Sequence, residues 1–250
     1  MGVHARASWW RRWLSHLAPR DRSELAVLLG AVGILALLLA FALLAAEVFE
    51  GDTQAFDNRL LMALRRADDR SIPIGPPWLR AGALDITALG SPTVLGLATL
   101  AVCGFLLLQR MARTATFVFI ATIGGWFLNE TLKEVFQRAR PAIVPHLQNV
   151  MTLSFPSGHA MNSAAVYLTL GALTMRLADR RVTKWYCMAA AMLLTFLVGT
   201  SRIFLGVHYP TDVLAGWLLG MTWALACWTV ERRIEQSAGL QRERAAGSRP

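Results

Sequence analysis

The chain has 250 residues, of which 55% are hydrophobic and 16% are charged, and its mean hydropathy is +0.43. A soluble domain of this length is usually less apolar and more charged, so a soluble helical bundle explains the composition poorly. A net charge of +9 would suggest a nucleic-acid partner for a soluble protein. Here the basic residues flank apolar stretches, which indicates a membrane protein and no nucleic-acid partner.

Six stretches of the sequence contain no Asp, Glu, Lys or Arg, and they approach the roughly 20 residues that a helix needs to cross a bilayer. They cover about 25–46, 92–108, 114–129, 159–175, 185–201 and 213–230. We therefore predict an all-α, polytopic membrane protein with six transmembrane helices. In the last stretch Gly216 and Gly220 form a GxxxG pattern, which predicts close packing against another helix.

The membrane domain is predicted to cover residues 25–230. A basic, aromatic tail precedes it at 1–24, and a polar tail that we expect to be poorly ordered follows at 231–250. The longest connection lies at about 47–91, where apolar residues at helical spacing in Phe56–Arg66 predict a short interfacial helix. The proline-rich segment Ser71–Trp78 is predicted to be irregular.

An even number of spans places both termini on one side of the membrane. If that side is the cytoplasm, 16 of the 25 Lys and Arg residues lie inside, as the positive-inside rule requires. We therefore expect both termini in the cytoplasm, with the protein in the cytoplasmic (inner) membrane. The connection 47–91 would then face the periplasm or exterior.

Polar residues collect in three blocks at the ends of the predicted spans. The blocks are KEVFQRARP at 133–141, FPSGH at 155–159 and SRIFLGVHYPTD at 201–212. Because successive spans alternate in direction, the end of span 3, the start of span 4, the end of span 5 and the start of span 6 share one face. The three blocks should therefore form one site at helix ends on the outer face.

The first group of candidate residues is suited to binding phosphate. Lys133, Arg140 and Arg202 supply three cations, and the two guanidinium groups match phosphate oxygens in bidentate geometry. Ser157 and Gly158 open a predicted helix, where backbone N–H groups and the helix dipole favour an anion. Each cation alone is equally well explained as an anchor at the membrane boundary.

The second group is suited to nucleophilic catalysis. His208 precedes Asp212 by four residues, so the carboxylate would accept the Nδ1 proton and leave Nε2 free to attack phosphorus. His159 would protonate the leaving oxygen. The competing explanation for Asp212 is a simple acidic residue at a helix N-terminus.

Together the blocks read K-x6-RP, PSGH and SR-x5-H-x3-D, and this combination resembles the type 2 phosphatidic acid phosphatase superfamily, specifically its bacterial integral-membrane lipid phosphatases. The superfamily also includes the vanadium haloperoxidases. The matching positions are Lys133, Arg140, Pro141, Pro156, Ser157, Gly158, His159, Ser201, Arg202, His208 and Asp212. The resemblance implies a phosphohistidine at His208, leaving-group protonation by His159, and phosphate held by Lys133, Arg140, Ser157, Gly158 and Arg202.

The sequence thus predicts a lipid phosphate phosphatase without cofactor or metal, since it contains no metal-ligand motif, and without an obligatory protein partner. The favoured substrates are undecaprenyl pyrophosphate and phosphatidate-type lipids. A vanadate-dependent haloperoxidase and a non-catalytic lipid-binding membrane protein are the alternatives. Three neighbours of the motifs receive minor roles: Arg138 as an interface anchor, and Asn129 and Glu130 as supports for Lys133.

Overall fold

The computed structural model of the protein describes residues 22–150 and 152–247, and all regular secondary structure within these residues is helical. There are eight helices in this part of the chain. They are α1 (Arg22–Glu50), α2 (Gln54–Ala63), α3 (Pro77–Ala88), α4 (Pro92–Leu108), α5 (Ala112–Phe136), α6 (Gly158–Leu177), α7 (Arg181–Phe204) and α8 (Pro210–Gly247). The all-α prediction is confirmed.

Each of the six predicted stretches lies on a helix, but fewer than six helices are long and apolar enough to cross a membrane. Within the described residues four meet that standard, namely α1, α5, α7 and α8, and a fifth is obtained if α3 and α4, which are bent by 49°, form one span. The sixth stretch lies on α6, whose polar residues Asn162, Ser163 and Thr169 are buried. Burial against other helices removes the need for apolar side chains at these positions.

Helix α6 is the centre of the bundle, and it packs mainly against α7 and α8, while α1 covers α8 and α5 lies beside α6. The contact with α8 is close because Gly216 and Gly220 face the α6 backbone. A Cβ added at Gly220 would lie 2.5 Å from the carbonyl oxygen of Met161 and 2.5 Å from the Cβ of Ala164. The predicted role of the GxxxG pattern in helix packing is confirmed.

The first long connection contains more helix than predicted. The expected short helix is present as α2, and the chain is irregular between α2 and Pro76. Helix α3 then begins at Pro77, with proline in the first turn where its missing N–H costs nothing. The predicted loop thus contributes two helices that pack against the bundle, where α3 contacts α7 and α2 contacts α8.

The structure describes most of the C-terminal tail but little of the N-terminal tail. Helix α8 continues through the polar C-terminal segment to Gly247, and the expectation that this segment is poorly ordered stays a prediction. Of the basic aromatic tail, positions 1–21 lie outside the described residues.

Candidate active site

The three sequence blocks meet at one end of the bundle, around a cavity of about 280 Å³. The cavity is lined by residues from the end of α5, the start of α6, the end of α7 and the loop before α8. Of the predicted site residues, the cavity is lined by Lys133, Arg140, Gly158, His159, Arg202 and His208. Ser157 and Asp212 lie directly behind this lining and are fully buried.

Lys133 reaches the cavity from the last turn of α5. Its Nζ donates to Glu130 Oε1 at 3.0 Å, which confirms that Glu130 supports the lysine. Asn129 instead donates to the sulfur of Met161 at 3.5 Å. Gly158 sits against both side chains, since a Cβ there would lie 2.8 Å from Asn129 Oδ1 and 3.4 Å from Lys133 Nζ. Glycine therefore gives the lysine access to the N-terminus of α6.

Both arginines of the phosphate-binding group are held by oxygen atoms of the surrounding chain. Arg140 donates to the carbonyl oxygens of Thr152 and Val207, each at 2.6 Å. Arg202, which is almost fully buried, donates from Nη1 to Thr87 on α3 at 2.9 Å and to Gln148 at 2.5 Å. These bonds fix the guanidinium groups at the cavity before any ligand is present.

The start of α6 has unused hydrogen-bonding capacity. The backbone N–H of Ser157 donates to the carbonyl oxygen of Asp212 at 3.0 Å, which ties this helix start to α8. The Ser157 hydroxyl and the Nε of Arg202 are buried and have no hydrogen-bond partner in the described part of the chain. Buried polar groups are normally paired, so their lack of partners near the first turn of a helix fits an anion-binding site.

His208 is oriented by Asp212 and Ser154. Its Nδ1 lies 3.4 Å from Asp212 Oδ2 and 3.4 Å from the Ser154 hydroxyl, which itself donates to Asp212 Oδ2 at 2.5 Å. On the other side of the ring, Nε2 lies 3.1 Å from Arg140 Nη1. Because an arginine can only donate, this contact requires an unprotonated Nε2 and therefore places the proton of a neutral imidazole on Nδ1.

Burial, together with the charges of Arg140, Arg202 and Lys133, holds the pKa of His208 well below its usual range. The imidazole is therefore neutral at physiological pH, as a nucleophile must be.

Sequence reasoning missed two charged residues near Asp212: Arg138, which binds Asp212, and Asp57, which binds Arg138. The prediction that Arg138 is an interface anchor is wrong, because its guanidinium donates to Asp212 Oδ1 at 2.6 Å and to Asp57 Oδ2 at 2.8 Å. Asp57, on α2, is fully buried and also accepts from the backbone N–H and the hydroxyl of Thr211, at 3.1 and 2.6 Å. The only sequence signal was the position of Arg138 between Lys133 and Arg140 in the first block.

Comparison with known proteins gives a family and several relatives. The family model of the PAP2 superfamily matches residues 113–235. Phosphatidylglycerophosphatase B of Bacillus subtilis is 32% identical over 186 residues, which is 74% of this chain and 88% of the relative. An undecaprenyl-diphosphatase of Sulfolobus acidocaldarius is 31% identical over 120 residues, covering 46% of this chain and 54% of the relative.

Solved structures agree with this assignment. The crystal structure of a transmembrane PAP2-type phosphatidylglycerolphosphate phosphatase from Bacillus subtilis matches with a TM-score of 0.73 and 29% identity, over 80% of this chain and 96% of that chain. The crystal structure of Aquifex aeolicus LpxE matches with a TM-score of 0.51 and 27% identity, over 68% of this chain and 92% of that chain. The prediction from the three sequence blocks is confirmed: the chain belongs to the PAP2 superfamily.

Proposed function

We propose that this PAP2-family membrane protein hydrolyses a phosphate monoester or pyrophosphate on a membrane lipid, with His208 as the nucleophile. Membership of the family and the phosphatase relatives make it a lipid phosphate hydrolase. The observation that carries the proposed mechanism is a single cavity lined by both histidines and all three cations.

In the first step Nε2 of His208 attacks phosphorus, forming the P–N bond while the bond from phosphorus to the leaving oxygen breaks. His159 donates a proton to that oxygen, a contribution worth roughly 10²–10⁴-fold in rate. Asp212 stabilises the proton on Nδ1 as the ring acquires positive charge. In the second step His159 accepts a proton from water, which attacks phosphorus and releases His208 and inorganic phosphate.

The phosphoryl oxygens are bound by Lys133, Arg140 and Arg202 together with the N-terminus of α6, where Ser157 is the N-cap residue and Gly158 the first residue of the helix. Preorganised donors of this kind stabilise the charge of a pentacoordinate transition state without reorganising during the reaction. The described residues contain no group of three or more His, Cys, Asp or Glu side chains arranged to hold a metal ion. We therefore propose that these cations perform the role a metal plays in other phosphatases.

The lipid part of the substrate is proposed to lie in an apolar pocket of about 170 Å³ that adjoins the catalytic cavity. The two share Pro92, Trp126 and Asn162. The relatives named above act on phosphatidylglycerophosphate and undecaprenyl diphosphate. Undecaprenyl pyrophosphate and a phosphatidate-type lipid are accordingly the proposed substrates of this chain.

We propose six membrane crossings, with α3 and α4 as one bent span and α6 as the buried one. Both termini are placed in the cytoplasm and the site on the outer face of the inner membrane. This arrangement rests on the distribution of Lys and Arg in the sequence. It favours a substrate of the outer leaflet.

The test is phosphate release by the purified protein in detergent, measured in EDTA on a panel of lipid phosphates and pyrophosphates. We expect turnover of at least one lipid in EDTA, inhibition by vanadate as a transition-state analogue, and no halide oxidation after vanadate addition. Activity that is lost in EDTA and restored by Mg²⁺ would refute the metal-free mechanism. Halide oxidation would support the haloperoxidase alternative.

A further inference from the structure

A second cleft, of about 850 Å³, opens at the end of the bundle opposite the catalytic cavity. The helix ends define this position. Arg176 lies in the last turn of α6, whose first turn contains His159, and Lys184 lies in the first turn of α7, whose last turn contains Arg202. Helices α1, α6, α7 and α8 form its walls. Its lining is Leu37, Leu168, Ala172, Met175, Arg176, Lys184, Met188, Met221, Ala224, Leu225, Trp228 and Arg232.

The charge of this cleft is positive. Arg176 pairs with Glu231 at 2.6 Å. Lys184 and Arg232 form no ion pair with a carboxylate in the described part of the chain. The Nε of Arg232 is buried and has no hydrogen-bond partner among the residues that the structure describes, and its guanidinium lies 5.4 Å from the ring centroid of Trp228. Two cations therefore line the cleft without a neutralising carboxylate among the described residues.

The cleft combines this charge with a long apolar wall. Met221 and Arg232 both line it and are separated by three turns of α8, which span about 16 Å at 1.5 Å per residue. The wall therefore extends from a charged rim to a depth where Leu37, Met221 and Leu225 would face hydrocarbon. An occupant that satisfies both regions must have an anionic head and an apolar tail.

We propose that this cleft binds an anionic glycerophospholipid from the leaflet opposite the active site. The lipid phosphate lies between Lys184 and Arg232, and an acyl chain follows the apolar wall toward Leu37. Basic pockets between transmembrane helices are suited to such headgroups. A cation at the edge of hydrocarbon is costly without a partner anion, and the lipid phosphate supplies one. This site is independent of the catalytic mechanism.

The test is native mass spectrometry of the full chain, titrated with phosphatidylglycerol or with phosphatidylcholine of the same acyl chains. The wild-type protein should retain phosphatidylglycerol in preference. The Lys184→Gln/Arg232→Gln variant should bind it about 25-fold more weakly, roughly fivefold for each cation removed. The matched control is Arg180→Gln/Arg181→Gln, which removes two exposed cations at the N-terminus of α7 that do not line the cleft. It should bind like the wild type.

Three results would overturn the proposal. The first is equal binding of the two lipids by the wild-type protein, which needs no variant and is unaffected by misfolding. The second is an equal loss of binding in the control variant, which would indicate a general surface charge effect. The third is displacement of phosphatidylglycerol by millimolar inorganic phosphate, which would show that the cleft recognises a free anion rather than a lipid. Unchanged phosphatase activity in the Lys184→Gln/Arg232→Gln variant would verify its folding.

Discussion

Asp212 is held on both of its carboxylate oxygens. Arg138 donates to Oδ1, whereas Ser154 and the backbone N–H of Tyr209 donate to Oδ2, the oxygen nearer to His208. Asp57 in turn binds the second nitrogen of the Arg138 guanidinium. Through this chain of contacts, α2 in the first long connection fixes the carboxylate that orients the proposed nucleophile.

Asp57→Asn should therefore lower kcat with little change in KM, because the amide weakens the hold on Arg138 without touching the phosphate-binding residues. We expect kcat to fall about 10- to 100-fold, the range typical when a residue that orients a functional side chain is altered. The measurement is steady-state kinetics of Asp57→Asn, with Asp68→Asn as the control. Asp68 pairs with Arg66 on the exposed part of the same connection. A larger effect on KM than on kcat would mean that the network holds substrate instead.

Arg140→Gln should move the acidic limb of the kcat/KM profile to higher pH. Burial and the charge of Arg140 both depress the pKa of His208. Removing the positive charge raises that pKa, so the imidazole becomes protonated, and unreactive, at a higher pH than in the wild type. The measurement is kcat/KM against pH for both proteins on one substrate, so that the titration of the substrate cancels. If the acidic limb stays in place or moves to lower pH, protonation of His208 does not set the pH dependence of kcat/KM.

The candidate residues found from the sequence stand out by their local type and spacing, whereas the residues that were missed are defined by burial and long-range contacts. Lys133, His159 and His208 are reactive polar groups at the ends of apolar stretches, where their type and spacing already suggest chemistry. Asp57 and Arg138 gain their role only from burial and from each other, across 81 positions of the chain. Nothing in the local sequence distinguishes a buried Asp57 from the exposed acidic residues around it.

At the scale of elements, the contact between α6 and α8 positions the start of both helices at the site. Gly220→Ala should destabilise the protein by about 1–3 kcal/mol, the usual cost of overpacking a close contact, because the new Cβ would meet backbone and side-chain atoms at 2.5 Å. Gly104→Ala is the matched control, since a Cβ there meets nothing within 4 Å. Thermal unfolding in detergent measures both variants. Equal melting temperatures would contradict the close packing.

Helix positions were predictable where apolar runs were long, as in α1, α5, α7 and α8. Prediction was weaker for α3, because proline-rich sequence precedes it and its own composition is mixed. The predicted stretch at about 159–175 does lie on a helix, α6. What the sequence did not reveal is that polar residues of this helix, such as Asn162 and Ser163, are buried against other helices. That burial depends on contacts between helices, which a single stretch of sequence does not contain.

At the scale of the whole molecule, the proposed orientation places the connection between α2 and α3 on the periplasmic or exterior side of the membrane. Ser71→Cys, at an exposed position in that connection, should be labelled in intact cells or spheroplasts by a membrane-impermeant thiol reagent. The background would lack Cys103, Cys187 and Cys227. Arg180→Cys, in the connection between α6 and α7, should be labelled only after lysis. The opposite pattern would put the catalytic cavity in the cytoplasm.

The most direct test of the central claim is to trap the phosphoenzyme. The purified protein would be mixed with phosphatidate labelled on its phosphate and then quenched in alkali, which preserves phosphohistidine. We predict label on the peptide that contains His208, and none in His208→Ala, which should also be inactive. The Asp212→Asn variant should form the phosphoenzyme more slowly, by up to about 10⁴-fold if Asp212 acts as other orienting aspartates do. Label or turnover at wild-type levels in His208→Ala would contradict the account.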